Sequence, residues 1–370
     1  MFDSATYNNA ARVLSTIAPD LPADAALRKY LGLSRRLGPR EKRAISRAVF
    51  TYFRWFRWLD EKASAQKQLE QAAELQARFE RDPKSIKAET LAVRAVPEWL
   101  RDEMELPTPF LQQLQREPAL WLRARPGKSD TLASALGHCE RTDLAPDALR
   151  FTGMKDLFVT PEFHAGAFEI QDLASQLVGL ACAPKAKETW WDVCAGEGGK
   201  TLHLADQMEN KGLIWATDRN PRRLETLKRR AARAAIFNFR TALWDGSARL
   251  PNKTKYDGIL VDAPCSGIGT WQRNPHARWA TTPDDVRDLA ATQLALLHHV
   301  APALKPGGKL IYSVCTLTRA ETTAVANAFS EAHPELTPLP LLGRAESQLM
   351  LWPHELNANG MFIAAWQRRA

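Results

Sequence analysis

The sequence predicts an α/β fold with a mostly parallel, doubly wound sheet, preceded by a small α/β module and an N-terminal helical domain. From about residue 166, short apolar runs of strand length alternate with helical stretches, and polar residues follow several of these runs. Such alternation is typical of a parallel sheet with helices on both faces. The runs are TWWDVCA, GLIWATD, FRTALWD, YDGILVDAP and GKLIYSVC.

Two regions precede this sheet. Residues 1–100 are predicted to be helical, because apolar residues recur at helical spacing and β-branched runs are scarce. Residues 101–165 contain a strand-like LWLRARP and a helix-like DTLASALGH, which predict a small α/β module before the main domain of residues 166–370. One aromatic stripe in the first region is interpreted as a buried helix face instead of an RNA-stacking surface: Tyr52, Trp55, Phe56 and Leu59.

Positive charge is concentrated near the N-terminus of a chain whose formal net charge is +8. Residues 1–60 carry eleven Lys or Arg against five Asp or Glu. This distribution is compatible with a polyanionic partner such as RNA. For the basic cluster from Arg35 to Arg47, contact with phosphate groups and a merely solvated helix face both stay open.

The cysteine pattern indicates neither a disulfide framework nor a zinc site. The number is odd, the spacing is wide and no Cys-x-x-Cys pair occurs among Cys139, Cys182, Cys194, Cys265 and Cys315. We therefore expect no bound metal and a reducing, cytoplasmic compartment. There is no apolar signal region, and no apolar run approaches the roughly 18 residues needed to span a bilayer, so we expect a soluble protein without a membrane partner.

A glycine-rich run, Asp192 to Thr201, follows the first predicted strand of the sheet and opens a helix. Its glycines can bring backbone amides close to a ligand at the helix N-terminus. The spacing matches neither the dinucleotide fingerprint nor a phosphate-binding loop. Asp218 and Asp245 end the next two strands, and a carboxylate at the first of these positions can accept both hydroxyls of an adenosine ribose. The ordered set predicts a cofactor that contains adenosine.

Cys265 and Cys315 follow the fourth and fifth strands, at the edge of the sheet where the cofactor is expected. Positions beside turns and helix N-termini lower a thiol pKa and expose the thiolate, whereas Cys139 and Cys182 are interpreted as small hydrophobic residues. Carbon 5 of cytosine is too weak a nucleophile to attack a sulfonium methyl group directly. A thiolate that adds to carbon 6 activates it, if an acid such as Asp262 protonates ring nitrogen 3. The pair therefore suggests methylation of cytosine.

These motifs resemble the NOP/Sun, or RsmB-like, family of S-adenosylmethionine-dependent RNA cytosine-5 methyltransferases. DAPCSGIGTWQRNPHARW, from Asp262 to Trp279, resembles the family signature, and YSVCT resembles its Tyr-Ser-Thr-Cys-Ser motif. FEIQDLASQLV is similar to the segment before the catalytic domain, and GMFIAAWQRR to the closing strand. The resemblance covers about residues 95–370, and LGPREKRAISRAVFTYFRWFRWLD resembles a NusB-like helical RNA-binding domain found in some members.

The resemblance implies a Rossmann-like class I methyltransferase core that uses S-adenosylmethionine and acts on RNA, with ribosomal RNA favoured over tRNA by the NusB-like segment. By position in the motifs, it implies nucleophilic attack by Cys315 and product release assisted by Cys265. Together with the acid Asp262, these are the candidate catalytic residues. The resemblance assigns cofactor binding to Cys194, Ala195, Gly196, Glu197, Gly198, Gly199, Lys200, Asp218, Asp245 and Asp262.

Three positions depart from the family pattern. Gly196-Glu197 stands where the family usually has Ala-Pro, Val314 replaces a threonine, and Thr322-Thr323 replaces Asn-Glu after Glu321. These departures motivate one alternative, a catalytically weak RNA-binding or ribosome assembly factor. A second alternative is a tRNA cytosine-5 methyltransferase. DNA cytosine methylation is disfavoured, because such enzymes normally use one cysteine on the fourth strand.

Overall fold

The structure is a computed structural model that describes residues 2–369. The contacts within the chain divide it into two units. One unit contains residues 2–118 together with 267–283, and the other contains 119–266 and 284–369. Residues 101–118 thus group with the helical region, and 119–165 group with the large sheet. The predicted roles of residues 1–100 and 101–165 in RNA binding stay predictions.

In the part of the chain that the structure describes, seven α-helices precede the first strand: α1 (Ser4–Leu14), α2 (Ala23–Leu33), α3 (Pro39–Arg54), α4 (Ala65–Arg81), α5 (Ala88–Arg94), α6 (Leu100–Glu103) and α7 (Thr108–Leu114). The interpretation of the aromatic stripe as core is confirmed at Trp55 and Leu59, which are buried. Trp55 Nε1 donates to Gln76 Oε1 at 2.8 Å. Phe56 departs from the expectation, because 41% of its surface is exposed.

The segment 267–283, which follows Cys265 in the chain, belongs to this helical unit. The fully buried guanidinium of Arg278 donates to the carbonyl oxygens of Ala95 at 2.8 Å and Leu114 at 3.0 Å. Burial lowers the pKa of Arg278 to about 9. The later part of the Asp-Ala-Pro-Cys signature therefore has a packing role within the helical unit.

A small antiparallel sheet begins the second unit, with strand order β2-β3-β1-β4. Its elements are β1 (Leu120–Ala124), α8 (Ser129–Leu136), β2 (Cys139–Arg141), β3 (Ala148–Phe151), α9 (Pro161–His164) and β4 (Phe168–Ile170). The predicted strand LWLRARP and helix DTLASALGH correspond to β1 and α8.

The large sheet has eight strands in the order β10-β12-β9-β8-β5-β6-β7, with β11 also paired to β12. Strands β5 to β9 are parallel, and β12 is antiparallel to β9. The α/β fold predicted from the sequence is confirmed. In chain order the elements are α10 (Leu173–Cys182), β5 (Thr189–Asp192), α11 (Gly199–Gln207), β6 (Leu213–Asp218), α12 (Pro221–Arg233), β7 (Phe239–Leu243), β8 (Tyr256–Asp262), α13 (Ala277–Ala280, in the helical unit), α14 (Pro283–Val300), β9 (Leu304–Val314), α15 (Thr323–Ala332), β10 (Leu336–Pro338), β11 (Gln348–Leu351), α16 (Pro353–Leu356) and β12 (Met361–Arg368).

The order of the parallel strands creates a crevice between β5 and β8. The chain runs outward through β5, β6 and β7, then returns to β8 on the other side of β5. Open α/β sheets bind ligands outside the carboxyl ends of their strands at such a reversal. Both faces of the sheet are covered, since Trp190 and Trp191 on β5 are fully buried in separate hydrophobic clusters.

Two carboxylates, the half-buried Asp206 and the buried Glu169, link the small sheet to helices α11 and α12. Asp206 on α11 accepts hydrogen bonds from Arg123 and Arg125, and Glu169 on β4 accepts from Arg230 and Arg233. Acids paired in this way hold neighbouring elements in a defined orientation. Within residues 2–369, no helix is both long and apolar enough to cross a membrane.

Candidate active site

The glycine-rich loop between β5 and α11 has a backbone shape that requires glycine. Gly198 has φ +85°, and a Cβ there would lie 2.5 Å from Leu227 Cγ. Gly196 has φ +55°, and its N–H donates to Asp218 Oδ2 at 3.0 Å. The loop is therefore anchored on the carboxylate at the end of the neighbouring strand.

A cavity of about 550 Å³ opens beside this loop. Its volume lies within the range of small-molecule sites, which runs from about 300 to 1,000 Å³. Three residues assigned to the cofactor site do not line the cavity: Gly198, Gly199 and Lys200. The predicted residues that do line it are Cys194, Ala195, Gly196, Glu197, Asp218, Asp245, Asp262, Cys265 and Cys315.

Asp218 and Asp245 differ in their surroundings. Asp218 is buried, and its Oδ1 accepts from the backbone N–H of Asn220 at 2.7 Å. Asp245 is exposed, and the backbone hydrogen bond from Ser247 lowers the pKa of its carboxyl group. Each carboxylate oxygen can accept a second hydrogen bond, so both groups keep capacity for ligand hydroxyls.

Lys200 reaches the cavity wall through Asp262. Its Nζ donates to Asp262 Oδ2 at 2.7 Å, while Ser313 Oγ donates to Oδ1 at 2.8 Å. Burial lowers the pKa of Lys200, but the charge and hydrogen bond of Asp262, with a smaller contribution from Cys315, outweigh it, so the pKa lies above its ordinary value.

The two cysteines expected to be catalytic meet at the cavity. Cys265 lies in the turn after β8 and Cys315 follows β9, and their Sγ atoms are 3.3 Å apart. Both side chains are half-buried. Of the other two cysteines considered, Cys182 is fully buried in the core, where burial raises the pKa of its thiol, and Cys139 is half-buried on β2.

A buried carboxylate that the sequence reasoning did not assign connects the two cysteine loops. Glu321 is fully buried. Its Oε1 accepts from the backbone N–H of Ser266 at 2.8 Å, directly after Cys265. Its Oε2 accepts from the hydroxyl groups of Thr316 at 3.1 Å and Thr318 at 3.0 Å, one and three positions after Cys315.

Two further groups complete the network around Glu321. Ser266 Oγ also donates to Oε2, and Gln293 Nε2 donates both to Oε1 at 3.0 Å and to the carbonyl of Pro264 at 2.9 Å. The sequence signal for this role is an acid within the apolar and threonine-rich stretch after Cys315. Thr322-Thr323, which depart from the family pattern, leave the hydrogen-bond network of Glu321 intact.

Asp192, the last residue of β5, does not line the cavity. It is fully buried, and Thr201 Oγ1 donates to its Oδ2 at 2.6 Å. Burial raises its pKa to about 7, and the hydrogen bond from Thr201 opposes the shift. The group is therefore largely protonated below neutral pH.

The strand order, the glycine-rich loop and the acids at the strand ends define a Rossmann-like methyltransferase fold. The profile of the family described as 16S rRNA methyltransferase RsmB/F matches residues 179–367. A probable ribosomal RNA small subunit methyltransferase B from Bacillus subtilis is 36% identical over 65% of this chain and 56% of its own length. The ribosomal RNA small subunit methyltransferase B of Shewanella oneidensis is 32% identical over 76% of this chain and 69% of its own length.

Solved structures agree on the fold. The crystal structure of PH0851 superposes with a TM-score of 0.80 over the whole of both chains, at 22% identity. NSun6 from Pyrococcus horikoshii, solved with SFG, superposes with a TM-score of 0.64 over 71% of this chain and 94% of its own, at 20% identity.

The chain belongs to the RsmB/F branch of the NOP/Sun methyltransferases, a family that depends on S-adenosylmethionine. The resemblance stated from the sequence motifs is thereby confirmed. The chain spans 56% to 69% of the length of the two curated relatives described.

Proposed function

We propose that this chain transfers a methyl group from S-adenosylmethionine to carbon 5 of a cytosine in RNA, with small-subunit ribosomal RNA as the substrate. The observation that carries the proposal is the 3.3 Å separation of the Cys265 and Cys315 sulfurs at a cavity that the glycine-rich loop also lines. The relatives named as small-subunit ribosomal RNA methyltransferases support the substrate class.

The cavity suits an adenosine-containing cofactor. Asp218 is positioned to accept ribose hydroxyls, and its contact with the Gly196 amide holds the loop against it. The positive end of the α11 helix dipole lies at the loop. It favours a ligand that places an anionic carboxylate group there. S-adenosylmethionine supplies a methyl group bonded to a sulfonium sulfur, and that sulfur becomes a neutral thioether when the methyl group is transferred.

The residues of the chain perform the steps on cytosine. The Cys315 thiolate forms a bond to carbon 6. As electron density moves toward ring nitrogen 3, that atom takes a proton through Asp262, which has first accepted one from Lys200. After carbon 5 has been methylated, a base removes its proton, the carbon 5–carbon 6 double bond reforms and the Cys315 sulfur leaves as thiolate, while ring nitrogen 3 returns its proton to Asp262. Cys265 assists that elimination.

A methyl-transfer assay tests the proposal. Purified protein is incubated with S-adenosylmethionine carrying a labelled methyl group and, separately, with unmodified small-subunit ribosomal RNA, mixed tRNA and duplex DNA. We expect label in the ribosomal RNA, located at cytosine by nuclease digestion. Label only in tRNA would favour the tRNA alternative. RNA binding without transfer to any substrate would favour an assembly factor.

A further inference from the structure

Helix α12 carries a concentration of positive charge beside the cavity. Residues 219–233 contain seven Arg or Lys and a single acid, Glu225. Three of these cations are neutralised. Arg230 and Arg233 pair with the buried Glu169 at 2.8 and 2.6 Å, and Lys228 pairs with Glu225.

The other four cations of this stretch face solvent: Arg219, Arg222, Arg223 and Arg229. Among the residues that the structure describes, no carboxylate lies within ion-pair distance of any of them. Clustered cations without acidic partners repel one another, so a polyanion that binds them gains both the new attraction and relief of that repulsion.

This basic ridge leads away from the cavity. Arg219 and Arg223 line the cavity wall. Arg222 and Arg229 share one stripe of the helix, and Arg229 Nη2 donates to Thr226 Oγ1 between them. A helix of 13 residues is about 20 Å long, so the ridge extends well beyond the cavity mouth.

An aromatic surface lies at the far end of the ridge. The Arg233 guanidinium stacks 3.9 Å from the centre of the Phe163 ring, and the Phe158 ring is 5.0 Å from that of Phe163. Phe158 is 59% exposed. Cations followed by an exposed ring are the pattern that binds single-stranded nucleic acid, in which phosphates meet the cations and a base stacks on the ring.

We propose that single-stranded RNA binds along this ridge, with its phosphates at Arg219, Arg222, Arg223 and Arg229 and a base stacked on Phe158. This proposal rests on the proposed function, because the RNA strand bound along the ridge would be the one that presents the target cytosine to the cavity. The exposed ring favours RNA over an acidic protein, whose carboxylates would satisfy the arginines without using Phe158.

The test measures binding of the full chain to a labelled oligocytidine of about 16 nucleotides across a range of KCl concentrations. Arg222→Glu with Arg229→Glu should weaken binding about tenfold and reduce the salt slope by about 1 to 2. Phe158→Ala should weaken binding about tenfold at an unchanged slope, because stacking releases no counterions. The matched control is Lys185→Glu with Lys187→Glu, an equal charge change on exposed residues that lie before the amino end of β5 and not on α12.

Affinity for S-adenosylmethionine should be the same in all of these proteins. The proposal is overturned if the α12 variant keeps wild-type affinity and slope, if the control loses as much binding as the α12 variant, or if the wild-type chain does not bind the RNA. A wild-type chain that binds RNA through α12 but transfers no methyl group would instead overturn the proposed function and leave this surface intact.

Discussion

The Sγ atoms of Cys265 and Cys315 lie 3.3 Å apart although fifty positions separate the two residues in the chain. Strands β8 and β9 are hydrogen-bonded neighbours and parallel, so their carboxyl ends bring the following turns together. This distance allows both sulfurs to approach the same face of one base. It also means that one thiolate is destabilised when the other is ionised, which favours a single nucleophile.

Replacement of each cysteine should therefore give opposite defects. Cys315→Ala removes the attacking sulfur, so carbon 5 is not activated and turnover should vanish. Cys265→Ala should still form the bond to carbon 6 and accept the methyl group, while elimination slows. A denaturation-resistant protein–RNA band that requires both RNA and S-adenosylmethionine should accumulate in the second variant and be absent in the double variant.

The outcome also distinguishes the assignment from its reverse. Accumulation of the band in Cys315→Ala, with none in Cys265→Ala, would exchange the two roles. Full activity in both variants would contradict the covalent mechanism. Cys182→Ala serves as the control for loss of a thiol that lies in the core, away from the cavity.

Glu321 should position the cysteines without contacting the substrate. Glu321→Gln keeps the shape but replaces one acceptor oxygen with a donor NH₂ group in a network built almost entirely of donors. We expect adduct formation with RNA carrying 5-fluorocytosine to slow about tenfold, a cost of about 1.4 kcal/mol, while affinity for S-adenosylmethionine is unchanged. Glu331→Gln, on the exposed face of α15, is the matched control. An unchanged rate of adduct formation would show that Glu321 stabilises the fold without positioning the cysteines.

Much of this site could be predicted because its residues occur in local patterns. The glycine run, Asp218 and the two cysteines each follow an apolar strand, and parallel strands bring such positions to one edge. Glu321 was missed because its partners come from three separate segments, which only the fold brings together. The charge of α12 was also missed, since Arg230 and Arg233 must be paired with Glu169 before the unpaired arginines stand out.

Asp218→Ala should weaken binding of S-adenosylmethionine at least about tenfold, corresponding to about 1.4 kcal/mol or more for the lost charge-assisted hydrogen bonds. The substitution also removes the acceptor of the Gly196 amide, so the loop loses its anchor. Isothermal calorimetry measures the effect. Glu225→Ala, an exposed acid that does not line the cavity, should bind normally, and equal affinity in the two variants would exclude Asp218 from the site.

Asp192 should make stability fall as pH rises. Its pKa is about 7 in the folded protein and 3.8 ordinarily, so the folded chain keeps a proton that the unfolded chain releases. Folding stability therefore decreases between about pH 4 and 7, by at most a few kcal/mol from this group. Asp192→Asn should flatten the dependence of the thermal midpoint over this window. An identical pH profile in Asp192→Asn and in the exposed control Glu225→Gln would contradict the shift.

The N-terminal basic cluster is the remaining candidate for RNA contact, and the structure reduces the number of arginines in it that are candidates for phosphate binding. Within the cluster from Arg35 to Arg47, Arg47 pairs with Glu117 at 2.7 Å, and Arg36, Arg40 and Arg43 have exposed side chains. Reversing these three residues to Glu should weaken RNA binding and lower the salt slope by about 2, because phosphate contacts release counterions.

A charge-matched control comes from the same helical unit. Arg81 at the end of α4 is exposed, as are Lys84 and Lys87 after it, and reversal of these three residues to Glu changes the net charge by the same amount. If the N-terminal cluster contacts phosphate, only the first triple variant loses affinity at low salt, and the difference closes as KCl is raised. Equal losses in both variants would indicate a response to net charge alone, and wild-type values in the first would leave Arg36, Arg40 and Arg43 as a solvated helix face.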